Sequence, residues 1–166
     1  VAFFLAAYHG YDVWDFVAFK VASVAALGVA FFPAFIKSPM NPHVHIAPNV
    51  SDLTNTVHYA CAGVLFVDFA LISLVLFTKT LGKVPRGQRG RRKRIRDDIF
   101  RACGIIILAC VAAMVALDAL PDDSPFLSWD PVFWVETLAL AAFATSWLVK
   151  GGFVLRDRKV LKEGKA

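Results

Sequence analysis

The sequence predicts an all-α protein built as a polytopic transmembrane helical bundle, with four complete spans preceded by the end of a truncated N-terminal span. Hydrophobic residues make up 58% of the 166 residues, and the mean hydropathy is +0.60. The apolar residues fall into separate runs close to the ~20 residues that a helix needs to cross a bilayer. Lys and Arg gather in two segments, a distribution typical of the cytoplasmic side of a membrane protein. We therefore predict one transmembrane domain over residues 1–166.

The first elements are an incomplete span and a complete one. Residues 1–8 are apolar but too few to cross a bilayer, so we expect them to end a helix whose beginning precedes the given sequence. The second span is predicted over residues 16–36, with Lys20 about one turn from its cytoplasmic end. We expect Lys20 to snorkel to the membrane surface rather than to form a buried ion pair.

The outer loop that follows holds a His-x-His pair, His43 and His45. Alternate residues project together only in an extended segment, and no third ligand is fixed nearby, so metal binding is the weaker interpretation. No cofactor is predicted, because the His residues do not lie at matched depth on facing spans as a bis-His haem requires. Ligation of a pigment or a haem by a single His stays an open alternative.

The central span, predicted over residues 57–77, organises the chain. It holds one formal charge, Asp68. A 3-4-3-4 spacing places five residues on one stripe of the helix: His58, Cys61, Leu65, Asp68 and Ile72. Because an unpaired carboxylate facing lipid is costly, we expect this stripe to face other protein.

A basic loop is predicted over residues 79–98, where Gly and Pro interrupt any helix pattern. It contains a cluster of six basic residues: Arg89, Arg91, Arg92, Lys93, Arg94 and Arg96. Such a cluster beside a span can bind anionic lipid headgroups, although fixing the orientation of the protein is the interpretation we favour. The net charge of +5 does not indicate nucleic-acid binding, because no nucleic-acid-binding motif accompanies it.

The last two spans are predicted over residues 99–117 and 131–149, and a basic cytoplasmic tail over residues 150–166. Glu136 lies near the outer end of the final span, at a depth similar to that of His58. A carboxylate inside a membrane needs a donor, so we predict that these two side chains pair. Their helices should then be neighbours or share one partner helix.

Several motifs resemble those of a family of small bacterial integral membrane proteins. The quoted motifs are YD at Tyr11, GVAFFP from Gly28, HYxxA from His58, LFTK from Leu76, IFRxCG from Ile99, PVFWxE from Pro131 and SWLxKG from Ser146. The resemblance covers most of the chain and implies five or six spans with one more segment upstream. The family has no established activity, so the resemblance implies fold and membrane location only. Asp68 and Lys20 stand where the family carries uncharged residues.

The residues favour a non-enzymatic accessory or scaffold subunit of a larger membrane complex. An energy-converting complex is one such assembly. No nucleophile elbow, phosphate loop or His-Glu-x-x-His motif is present in the sequence. The alternative is a small proton- or ion-coupled transporter or channel that uses Asp68 with His58 and Glu136. Asp68 lies about 15 Å deeper than His58, so a relay needs further groups between them. An intramembrane enzyme acting on lipid is a weaker third interpretation. We expect a bacterial inner membrane, with loop 79–98 and the C-terminus cytoplasmic.

Overall fold

The computed structural model describes residues 1–8, 10, 12–34, 51–79, 91–121, 124 and 129–153, and this part of the chain is helical without strands. The described helices are α1 (Ala2–Ala7), α2 (Val13–Phe31), α3 (Asp52–Leu71), α4 (Arg91–Asp118) and α5 (Pro131–Lys150). A π-helical segment, Ile72–Leu76, continues α3. The four helices after α1 are long and apolar enough to cross a membrane, counting α3 with its π-helical segment. The predicted fold class is confirmed.

The helix boundaries follow from local capping. Asp12 accepts a hydrogen bond from the Asp15 N–H, so α2 begins three residues earlier than predicted. It ends at Phe31, shortly before Pro33, rather than at residue 36. Ser51 caps α3 in the same way by accepting from the Thr54 N–H. Pro131 occupies the first turn of α5, where its missing N–H costs nothing.

The predicted loop 79–98 is wrong for its second half, because residues 91–98 form the first turns of α4. Lys and Arg are good helix formers, and Lys93 forms an i,i+4 ion pair with Asp97 at 2.6 Å between Nζ and Oδ1. The Gly and Pro residues that suggested a loop precede Arg91 and lie outside the described residues.

Consecutive helices pack against each other, and α3 lies at the centre with α2 on one side and α4 on the other. Phe69 of α3 stacks on Phe143 of α5 with 3.7 Å between ring centroids. Trp147 of α5 packs against α1, α2 and the end of the central span. Its ring centroid lies 5.0–5.9 Å from those of five aromatic residues, of which the last belongs to α5 itself: Phe4, Tyr8, Phe19, Phe77 and Phe143. We call the end where α2 and α4 begin and α3 and α5 finish the Lys79 end. The opposite end is the His58 end.

Two glycines permit close approach between helices. A Cβ atom at Gly28 would lie 2.3 Å from the Sγ of Cys61, so α2 and α3 meet closely at this point. A Cβ at Gly104 would lie 2.4 Å from Cγ of Leu74, which brings α4 equally close to the π-helical segment. Small residues at such positions let helix backbones pack without displacing a side chain.

The predicted stripe of the central helix faces protein, as expected. Leu65, Asp68 and Ile72 are buried, while His58 and Cys61 are half-buried near the His58 end. The face of α5 that carries Ser146 is also buried. The helical period was therefore sufficient to identify the inward faces.

Candidate functional site

Asp68 lies inside the bundle, near the middle of the span formed by α3 and the π-helical segment. It is 7% exposed, and its carboxylate faces the backbone of α2 at Ala22. Its Oδ2 atom has no hydrogen-bond partner among the described residues. The main-chain carbonyl of Asp68 also accepts the N–H of Ile72, where the π-helical segment begins. This carboxylate is thus enclosed by protein but only partly satisfied.

His58 links α3 to the end of α2. Its Nδ1 lies 2.6 Å from the carbonyl oxygen of Phe32, and because a carbonyl only accepts, Nδ1 donates this hydrogen bond. Phe32 is the C-terminal capping residue of α2, where helix carbonyls lack intrahelical donors. The ring of His58 meets that of Tyr59 edge-on, with 5.8 Å between centroids.

The predicted pairing of His58 with Glu136 is wrong. Glu136 is half-buried and makes no hydrogen bond or ion pair with another described residue, although His58 lies near enough to act on it electrostatically. His58 Nδ1 instead donates to the Phe32 carbonyl. The expectation for their helices is confirmed, since α3 and α5 share α4 as a packing partner.

Lys20 forms no ion pair with another described residue, and its predicted snorkelling to the membrane surface stays a prediction. Its Nζ donates to the Ala6 carbonyl in the last turn of α1, and it also lies 4.9 Å from the centroid of the Phe16 ring. The end of a helix offers unpaired carbonyls and a partial negative charge, which together provide a nearby partner for the ammonium group. A hydrogen bond of 2.9 Å from Ser23 Oγ to the Ala2 carbonyl fastens α1 to α2 a second time.

A charge cluster at the Lys79 end was missed in the sequence. Lys79 Nζ lies 2.8 Å from Oδ2 of Asp12 and 2.7 Å from Oδ1 of Asp15. The Asp15 side chain is 3% exposed, whereas those of Lys79 and Asp12 are 32% and 46% exposed. Gly10 closes over Asp15 with φ +51°, and a Cβ there would lie 2.2 Å from the Asp15 Cβ. The cluster joins the start of α2 to the end of the central span.

The pKa values in this cluster move in opposite directions. The hydrogen bond from Lys79 is the main reason that the pKa of Asp12 lies below its usual range, and the N–H of Asp15 adds to the effect. Burial works against the charged form of Lys79, but the hydrogen bonds to Asp12 and Asp15 outweigh it and raise the Lys79 pKa. Both effects stabilise the ion pair.

The basic residues predicted to bind headgroups divide into two sets. Arg91, Arg92 and Arg94 are exposed on the surface of α4, whereas Lys93 and Arg96 are half-buried. Asp97, the partner of Lys93, is 1% exposed. The i,i+4 spacing of Lys93 and Asp97 was a readable signal for this buried pair. Arg89 lies outside the described residues, as do His43 and His45 of the metal prediction.

One side of the outward surface of α4 carries small residues. Ala109, Ala112 and Ala116 are all exposed and lie on one side of the helix. We call these three residues the alanine face. Most exposed positions of α2 are bulkier, such as Val24 at 69%, whereas α5 exposes Ala141 and Ala144 as well as Trp134, which is 64% exposed.

No protein-family model matches this chain, and no match is found among curated proteins or solved structures. The family resemblance of its motifs therefore stays a prediction. Within the described residues, no three His, Cys, Asp or Glu side chains are placed to hold a metal ion.

Proposed function

We propose that the protein acts by contact, as a non-enzymatic accessory or scaffold subunit of a larger membrane assembly, an energy-converting one included. The observation that carries this proposal is the alanine face of α4. Lipid sets no limit on the size of a side chain, whereas close packing of membrane helices favours small residues on the contact surface. A face of three exposed alanines therefore suits a helix of another subunit.

The separation of the intramembrane polar groups supports the same proposal. His58 donates to the main chain of α2, Asp68 faces α2 at a deeper level, and Glu136 lies on α5 without a hydrogen-bond partner among the described residues. A proton or ion path needs polar groups in succession. His58 and Glu136 lie near each other but share no hydrogen bond, and Asp68 lies deeper, so these three residues do not form such a succession, which favours contact over transport.

Copurification in mild detergent tests the contact function. We expect the wild-type protein to retain a fixed set of other membrane proteins, and Ala112→Leu or Ala116→Leu to lose them because the added side chain holds the partner helix away. The matched control is Val24→Leu, which places the same side chain on the outward surface of α2 and should keep the partners. The proposal fails if the wild-type protein purifies alone, or if both alanine variants keep their partners.

A second candidate function, a small proton- or ion-coupled transporter or channel, is favoured by one observation. Oδ2 of Asp68 is buried without a hydrogen-bond partner among the described residues, and an intramembrane carboxylate of this kind often marks a proton path. Reconstituted vesicles decide the matter. Proton flux that vanishes in a correctly assembled Asp68→Asn variant would establish transport, and equal leakage from protein-free vesicles would exclude it.

We further propose a multi-pass location in a bacterial inner membrane with the Lys79 end in the cytoplasm. Basic residues collect at this end on α4 and at Lys79 and Lys150, while Asp52 and Asp118 lie at the His58 end. This is the charge distribution of the positive-inside rule. An impermeant thiol reagent added outside intact cells should label Ser51→Cys and not Arg91→Cys. Labelling in the reverse pattern would invert the proposed orientation.

A further inference from the structure

Three arginines of α4 form a row on its outward side. Arg91, Arg94 and Arg101 lie on the side that carries Ile105, which is 61% exposed, and opposite the buried Ile107. Arg91 and Arg94 are exposed and Arg101 is half-buried, and none of them makes a hydrogen bond or ion pair with another described residue. We call these three residues the arginine row.

The neighbouring basic residues differ from the row because interactions already engage them. Lys93 pairs with the buried Asp97, and both Arg92 and Arg96 also make interactions of their own. From Arg91 to Arg101 the sequence holds six basic residues and two acidic ones, a net charge of +4. The arginine row is the part of this charge that faces outward without a protein partner in the described chain.

The length of α4 places the row at the depth of lipid headgroups. Its 28 residues extend about 42 Å at 1.5 Å per residue, which exceeds the ~30 Å hydrocarbon core by about eight residues. Residues 91–98 are the polar ones, so they project beyond the hydrocarbon. Arg101 lies one turn inside and reaches back toward the surface, as long basic side chains do. Arg94 and Arg101 are about 10.5 Å apart along the axis, so that one bound group can lie between them.

We propose that the arginine row binds the phosphate diester of an anionic phospholipid, whose acyl chain runs along α4 past Ile105. Guanidinium groups bind phosphate oxygens in a bidentate manner, and the apolar side chain below the row matches the attached chain. A lipid is favoured over an acidic protein segment because every anionic lipid carries its phosphate at this depth. Asp98 lies between Arg94 and Arg101 on the same side, and its charge weakens the binding without cancelling three arginines.

The lipid site is separate from the proposed protein contact. Ala109 and Ala116 lie about 12 and 22 Å further along the helix axis than Arg101, inside the hydrocarbon core. The two sites share a side of α4 but not a depth. Ala112→Leu should therefore leave lipid binding unchanged, and the two proposals can fail independently.

The test is a lipid titration of the purified full chain in phosphatidylcholine nanodiscs. Phosphatidylglycerol is added stepwise, and native mass spectrometry gives its apparent Kd. We expect Arg94→Gln and Arg101→Gln each to weaken binding about fivefold, the equivalent of ~1 kcal/mol per basic residue near the membrane surface. Arg92→Gln removes the same charge from another side of the helix and should change the Kd by less than about twofold. Asp98→Asn should tighten binding, and added salt should weaken wild-type binding.

Five outcomes would overturn the proposal. Equal losses in Arg92→Gln and Arg94→Gln would show a diffuse surface charge and no site. Displacement by soluble glycerophosphoglycerol at matched concentration would show a site for free phosphate esters. Loss of a copurified protein in Arg94→Gln with an unchanged lipid Kd would assign the row to a protein partner. If the arginine variants fail to fold, the wild-type chain alone still tests the proposal. Phosphatidylglycerol binding that does not respond to salt would refute the proposal, as would binding no tighter than that of phosphatidylcholine.

Discussion

Replacing Lys79 by Met should destabilise the protein, because it removes one partner of the buried Asp15 carboxylate. Lys79 Nζ lies 2.7 Å from Oδ1 of Asp15, whose side chain is only 3% exposed. Removing one partner of a fully buried ion pair costs about 3–5 kcal/mol. Here Lys79 is 32% exposed, and Lys150 lies near enough to Asp15 to compensate in part. We therefore expect a loss of about 2 kcal/mol, which is a fall in Tm of about 4–8 °C for a chain of this size.

Thermal unfolding in mild detergent measures this loss. A thiol-reactive dye can report the transition, because Cys103 and Cys110 are buried in the folded protein. Asp12→Asn is the matched comparison, since it removes the exposed partner of Lys79 and should lower Tm far less. If Lys79→Met and Asp12→Asn lower Tm equally, the burial of Asp15 does not set the energy of the cluster and the reasoning is refuted.

Three further outcomes are expected. The stabilisation from Asp12 should be complete above its ordinary pKa of 3.8 and disappear as the pH falls through its lowered folded value. The stabilisation from Lys79 should be complete below its ordinary pKa of 10.5 and should disappear as the pH rises through its raised pKa in the folded protein. The Tm difference between wild type and Lys79→Met should therefore shrink at both extremes of pH. Gly28→Ala should cost about 1–3 kcal/mol of stability through overpacking against Cys61. Adding Cys61→Ala to the Gly28→Ala variant should recover most of this loss in a double-mutant cycle of Tm values, and additive losses would contradict the contact. His58→Phe should cost about 1 kcal/mol in the same assay by removing a donor from the end of α2, and His58→Gln should cost less.

The architecture was predictable because it depends on hydropathy and helical period alone. Each long apolar run became a helix, and the spacing of Leu65, Asp68 and Ile72 identified the inward side of α3. Neither property depends on which distant residue a side chain meets. The structure differs from the prediction at the start of α4, because the helix propensity of Arg91 and the residues after it outweighs the effect of the preceding Gly and Pro.

The partners of the polar residues were not predictable, because they are distant in sequence or belong to the main chain. His58 bonds to a backbone carbonyl 26 residues away, and a carbonyl has no signature in the sequence. Lys79 meets carboxylates 67 and 64 residues away. Asp12 and Asp15 precede the predicted second span, so nothing in the sequence indicated that they meet Lys79. Only the packing of α2 on the central span makes these residues neighbours.

The π-helical segment determines which direction Lys79 faces. Its hydrogen bond from the Phe77 N–H to the Ile72 carbonyl, 2.9 Å long, spans five residues instead of the usual four, so this turn contains one additional residue. In an uninterrupted α-helix each residue rotates the chain by about 100°, and every side chain after the segment is displaced by about that angle. If the same residues formed a regular α-helix, Lys79 would swing away from Asp12 and Asp15, whereas loss of one residue from this turn would restore the regular helix and keep Lys79 facing them. Natural variants that lack the π-helical turn should therefore be one residue shorter between Asp68 and Lys79.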